Sequence, residues 1–229
     1  MTRTLRIDFV SDVVCPWCAV GLASLQQAVE RVRGEIDVEI HVQPFELDQN
    51  TPREGVDVAT NLKRKYGMSD AQLAENQERI RQRGAELGFS FDFNARSRSW
   101  NTFDAHRLLH WAAEEGEGLQ LALKRALLVA NFSEGRDIGD HAVLAAIAGS
   151  VGLDAARAAE VLASGRYGDE VRQLEGFFRQ LGISGVPAVI IERKHLVSGG
   201  QPPEVFEQAL RQIASQPMDD ADAHADANV

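Results

Sequence analysis

The chain has 229 residues, with 34 acidic against 24 basic side chains and a formal net charge of −10, a balance that disfavours a nucleic-acid binder. Hydrophobic residues make up 44% and charged residues 25%, the composition of a folded domain with a sizeable core rather than of a disordered or fibrous chain. No run approaches the roughly 18–20 uninterrupted apolar residues of a membrane helix, and the N-terminus lacks an apolar signal region. The expectation is a cytoplasmic protein with no membrane partner, facing a reducing thiol pool.

In chain order, Leu5 to Val10 alternates and then runs apolar, as a strand entering a sheet does. Cys15-Pro16-Trp17-Cys18 follows, and then Val20, Leu22, Leu25, Ala28, Val29 and Val32 recur at helical spacing until Gly34. Pro16 suits the first turn of that helix. A second strand, Ile36 to Phe45, alternates with period 2, so the opening is β-α-β. From about Pro52 to Gly165 strands are expected to vanish in favour of amphipathic helices. These are Ser69-Asp70 through Leu87, Phe103 to Glu114, Leu119 to Phe132, Asp140 to Val151 and Asp154 to Ala163. The chain then returns to mixed structure: a helix over Asp169 to Leu181, a buried strand Ala188 to Ile191, a short strand His195 to Gly199, and a last helix Glu204 to Ala214. From Gln216 onward small and acidic residues offer nothing to bury, which predicts a disordered tail.

The two cysteines of the chain are too few for a structural disulfide framework or a four-cysteine zinc site. His41 and His106 lack ligand spacing, so no metal site is expected. Cys-x-x-Cys at a helix start is instead a redox arrangement. There the first sulfur meets unpaired backbone N–H groups and the positive end of the helix dipole, both of which favour thiolate. Cys15 is therefore the expected nucleophile, and Cys18, one turn further in, the resolving thiol. A second element is Val186-Pro187 directly ahead of a buried strand, where proline cannot donate a ladder hydrogen bond. A cis bond there would present the Val186 backbone to an extended substrate beside Cys15. Gly199-Gly200 lacks the features of a phosphate loop and suits close backbone approach.

Together these elements resemble the DsbA-like branch of the thioredoxin superfamily. More narrowly, Ser11 to Cys18, Asn101-Thr102 with Ala105-His106-Arg107-Leu108, and Gly199-Gly200-Gln201-Pro202-Pro203 resemble the FrnE-like thiol–disulfide oxidoreductases. The resemblance implies an α/β thioredoxin-like fold with a large all-helical insertion. Residues 1–51 plus 166–215 would form the thioredoxin-like domain, 52–165 the inserted helices and 216–229 the tail. It implies Cys15 and Cys18 as the catalytic pair and Pro187, after Val186, as the cis-proline of the substrate groove. Pro16 and Trp17 would tune the potential, and the absence of a histidine between the cysteines implies a less oxidising pair.

Asp8, on the first strand, is a candidate proton acceptor beneath the disulfide. Asn101 is a candidate substrate contact, while His106 and Arg107 suit a solvated helix face. Expected partners are protein disulfides or dithiols, or small thiols, with no metal or organic cofactor beyond glutathione as a co-substrate. The residues set no oligomeric state. Two rival readings are a glutathione-dependent isomerase of small aromatic compounds, against which the second cysteine argues, and a redox-regulated chaperone-like binding module.

Overall fold

A computed structural model describes residues 2–217; most of the expected acidic tail lies outside the described residues. The central sheet has the order β2 (Ile36–Pro44), β1 (Arg3–Ser11), β5 (Ala188–Ile191), β6 (His195–Ser198). The β1–β2 pair is parallel, joined by helix α1 (Pro16–Arg31), and the two later pairings are antiparallel. The period-2 alternation of β1 divides two cores. Leu5, Ile7 and Phe9 pack with Leu22, Leu25 and Phe206 on the face covered by α1 and the final helix, whereas Val10 packs with Phe178, Ala188 and Ile190 on the opposite face.

Between β2 and β5 lie β3 (Val56–Asp57), α2 (Val58–Tyr66), α3 (Asp70–Glu86), β4 (Arg98–Ser99), α4 (Phe103–Glu115), α5 (Leu119–Phe132), α6 (His141–Ser150), α7 (Ala155–Ala163) and α8 (Gly168–Gln180). The chain ends in α9 (Pro203–Ala214). Several helix starts in the insertion follow side-chain caps. Ser69 and Gln72 form a reciprocal capping box, and the side chains of Asp140 and Asp154 accept the first backbone N–H groups of α6 and α7. Leu108, Trp111, Leu123, Leu127 and Leu144 build a separate helical core. This is the DsbA-like thioredoxin fold with its helical insertion.

The insertion departs from expectation in two places. It is not free of strands: β3 and β4 pair antiparallel over two residues each. It also holds α2, whose N-cap Asp57 accepts from Thr60 N–H and whose C-cap is Gly67 in the left-handed region. No residue of α2 is buried, but Val58, Leu62 and Tyr66 recur at helical spacing and line one cleft; that short stripe and the caps were the available signal.

Candidate active site

Cys15 is the N-cap of α1, in extended conformation, with Pro16 opening the helix and the Cys18 N–H donating to the Cys15 carbonyl at 3.0 Å. Both cysteines are free thiols, Cys15 5% exposed and Cys18 fully buried. The two thiols are shifted in opposite directions. A hydrogen bond from the Cys18 thiol, helped by the backbone N–H groups of Cys18 and Trp17, lowers the Cys15 pKa against the opposing effects of burial and Asp12. Burial, then the loss of its bond to Cys15, pushes the Cys18 thiol well above the usual range.

Opposite the pair, the Val186–Pro187 peptide bond is cis. The Cys15 thiol lies 3.6 Å from the Val186 carbonyl and donates to it. Glycine permits this approach: a Cβ at Gly21 in α1 would lie 2.9 Å from the Pro187 Cγ, and one at Gly200 would lie 3.2 Å from the Trp17 carbonyl. The Gly199 N–H donates to the Pro187 carbonyl at 2.8 Å, so the glycine pair holds the proline loop against the helix.

Cys15, Pro16, Trp17 and Val186 open onto a cleft of about 400 Å³, roofed by Leu62, Tyr66 and Met68 from α2 and its following turn, and by Ile80 of α3. Phe93, Arg96 and Trp100 complete its wall. The Arg79 guanidinium of α3 sits 5.8 Å from the Trp17 ring centroid, a cation–π distance.

The loop that carries Cys15 is clamped from the insertion. Asp12 Oδ2 accepts from Leu47 N–H at 2.8 Å, while Oδ1 lies 3.4 Å from His106 Nε2 of α4. Asn131 of α5 donates to the Val13 carbonyl at 3.1 Å, and Arg96 to the Val14 carbonyl at 3.2 Å. Burial lowers the Arg96 pKa to about 10, opposed by Cys15 and Asp12, which leaves it a cation at neutral pH. Burial works to raise Asp12, but the His106 bond and charge, the Leu47 N–H and Lys124 outweigh it and hold the carboxyl below its ordinary value.

Three expected placements need correction. Asp8 is not beneath the cysteines: its side chain is on the sheet face opposite α1, bonded to Arg6 at 2.9 Å and Gln43 at 2.7 Å. The carboxylate that acts electrostatically on the pair is Asp12, at the strand's end, where the chain turns toward α1. Asn101 does not line the cleft; it bridges the Thr51 carbonyl at 2.8 Å and the Phe103 N–H at 3.1 Å, joining the loop after β2 to the start of α4. His106 and Arg107 are buried rather than solvated; Arg107 donates to the Val161, Ser164 and Arg166 carbonyls at the end of α7. Sequence reasoning missed Arg96 and Lys124. For Lys124 a signal existed: it occupies the apolar stripe of α5 with Leu127, Leu128 and Asn131.

A thioredoxin-like sheet with a dithiol at a helix N-terminus, facing a cis-proline loop and capped by inserted helices, defines the class. The chain belongs to the DSBA-like thioredoxin domain family, whose model matches residues 6–211. It is 37% identical to a protein of Streptomyces coelicolor described as a probable DsbA oxidoreductase, with a TM-score of 0.86 over 94% of this chain and 92% of that one. It is 31% identical to the uncharacterized protein YwbO of Bacillus subtilis strain 168, over 90% of this chain and 96% of that protein. In fold alone it resembles the cytosolic disulfide reductase DsbM of Pseudomonas aeruginosa, solved with GSH (20% identity, TM-score 0.63, 92% and 100% covered).

Proposed function

We propose that the protein is a thiol–disulfide oxidoreductase, of the FrnE-like kind its motifs resemble, acting through Cys15-Pro16-Trp17-Cys18. The observation that carries this reading is the asymmetry of the pair: a thiol held low at the helix N-terminus beside the Val186 carbonyl, and a partner thiol held high behind it. In the reductive direction the Cys15 thiolate attacks a substrate sulfur. A Cys15–substrate disulfide forms, the substrate S–S bond breaks, and the first substrate sulfur leaves as thiolate. Cys18 then gives up its proton and attacks the Cys15 sulfur, forming the Cys15–Cys18 disulfide and releasing the second substrate thiol. Two electrons have passed from the protein dithiol to the substrate, and an external thiol returns them.

Val186 and Pro187 are proposed to pair with the substrate backbone, and Trp17 and Pro16 to set the potential. Glutathione is the proposed co-substrate and a reducing cytoplasm the proposed setting, with no metal required. These assignments draw support from the cleft geometry and from the disulfide reductase of similar fold that was solved with GSH. The test is the reduction potential of the pair against glutathione, followed by Trp17 fluorescence, with insulin reduction assayed in parallel. A defined two-electron potential, with activity lost by at least about a thousandfold in Cys15→Ser, is the expected result. A protein that forms no Cys15–Cys18 disulfide would refute the reading.

A further inference from the structure

Lys124 is a fully buried basic side chain whose Nζ has no hydrogen-bond acceptor among the described residues. A buried ammonium left without an acceptor destabilises a fold, and an apolar side chain of the same length would remove that cost. The neighbouring carboxylate does not satisfy it: Asp12 accepts from Leu47 N–H and lies beside His106, and Nζ has no hydrogen bond to either oxygen. Burial lowers the Lys124 pKa, opposed by the negative charges of Cys18 first, then Asp12 and Cys15. Cys18 is equally enclosed. The Asp12 backbone and the Lys124 charge both favour its thiolate against burial, and Cys18, Asp12 and Lys124 are all enclosed, so thiol, carboxylate and amine form one buried cluster.

We propose that Lys124 is a positioning residue of the resolving step, the insertion's counter-charge for the Cys18 thiolate. This deepens the dithiol reading and rests on it. In that step the Cys18 sulfur attacks the Cys15 sulfur of the mixed disulfide, the Cys15–substrate S–S bond breaks, and its electron pair leaves on the substrate sulfur. The Cys18 proton ends on that departing thiolate, giving the substrate thiol. While the proton is away from Cys18, negative charge sits at a fully buried sulfur, where water cannot solvate it and a fixed cation can. The first step needs no such help, because Cys15 already has backbone N–H groups and the Cys18 thiol. The groups facing this cluster are Asp12 and Cys15 on the loop before α1, Cys18 on α1, His106 on α4, and Arg96, which acts on both Asp12 and Cys15.

The experiment compares wild type, Lys124→Met and Lys124→Arg in the full chain, resolving mixed-disulfide formation at Cys15 from its release by Cys18 in rapid-quench mass spectrometry across pH. Lys124→Met is expected to form the mixed disulfide at nearly the wild-type rate and to release it about tenfold more slowly at neutral pH. The loss should be recovered as pH rises, and the denaturation midpoint should be equal to or above wild type because an uncompensated buried charge is gone. Lys124→Arg should restore part of the release rate. Release at the wild-type rate with an unshifted pH profile in Lys124→Met would overturn the proposal, as would slowing that higher pH and the arginine both fail to relieve. These outcomes are separate from failure of the dithiol reading, which would show in wild type as no Cys15–Cys18 disulfide at all.

Discussion

The sheet half and the helical insertion meet at the cysteine pair and contribute unlike things to it. From the sheet half come both sulfurs, the helix N-terminus and the cis-proline edge. From the insertion come the buried basic side chains Arg96 and Lys124, His106 against Asp12, the Asn131 and Arg96 clamps on the carbonyls of Val13 and Val14, and the roof over Cys15. A thioredoxin-like sheet alone would keep the order of nucleophile and resolver, since the Cys18 thiol and then backbone N–H groups lower Cys15. Without the insertion, however, the cluster behind Cys18 would contain a carboxylate and no cation. The chemistry is therefore encoded in one region, and its electrostatic setting in the other.

Substitutions in the insertion that leave both sulfurs intact sharpen this contrast. The largest effect is expected from Arg96→Met, which strands the Val14 carbonyl and removes a cation acting on Cys15. Unfolding free energy should fall by about 1–3 kcal/mol in chemical denaturation, and the Cys15 thiol should titrate at higher pH than in wild type. Asp12→Asn comes next. The amide oxygen can still accept from Leu47 N–H, but the charge that opposes Cys15 ionisation is gone, so the Cys15 midpoint should fall and the pair become more oxidising. The wild-type Asp12 carboxyl, held below its ordinary value, stabilises the fold above that value. The contribution fades as pH falls through the lowered pKa, so Asp12→Asn should flatten the acid limb of the stability profile. Asp8→Asn should have the smallest effect, leaving the potential unchanged, because Asp8 faces away from α1. A potential that responded to Asp8 and not to Asp12 would break the comparison.

The same division governs what could be read from the chain beforehand. Strands β1, β2 and β5 and the helices α3 to α7 follow from alternation, apolar stripes and acidic or serine caps, all local signals. Cys-x-x-Cys at a helix start and Val-Pro before a buried strand are also local, and the cis bond expected there is present. An acid on the first strand pointed to Asp8, but strand parity puts Asp8 on the wrong face. Asp12 is selected by the turn after β1, which no spacing rule describes. The two-residue pairing of β3 with β4 depends on tertiary proximity. Arg96 and His106 acquire meaning only when the insertion folds back over the loop before α1, since a lone arginine or histidine in a helical region normally faces solvent. Lys124 was the legible exception, a charge on an apolar stripe.

One geometry shifts the Cys15 and Cys18 thiols in opposite directions. This opposition is tested most directly by alkylating the fully reduced protein across pH and mapping the label by mass spectrometry. Cys15 is expected to be modified with a midpoint below that of an unperturbed cysteine, while Cys18 resists labelling until well above that range. Equal labelling of both sulfurs at neutral pH, or modification of Cys18 ahead of Cys15, would contradict it.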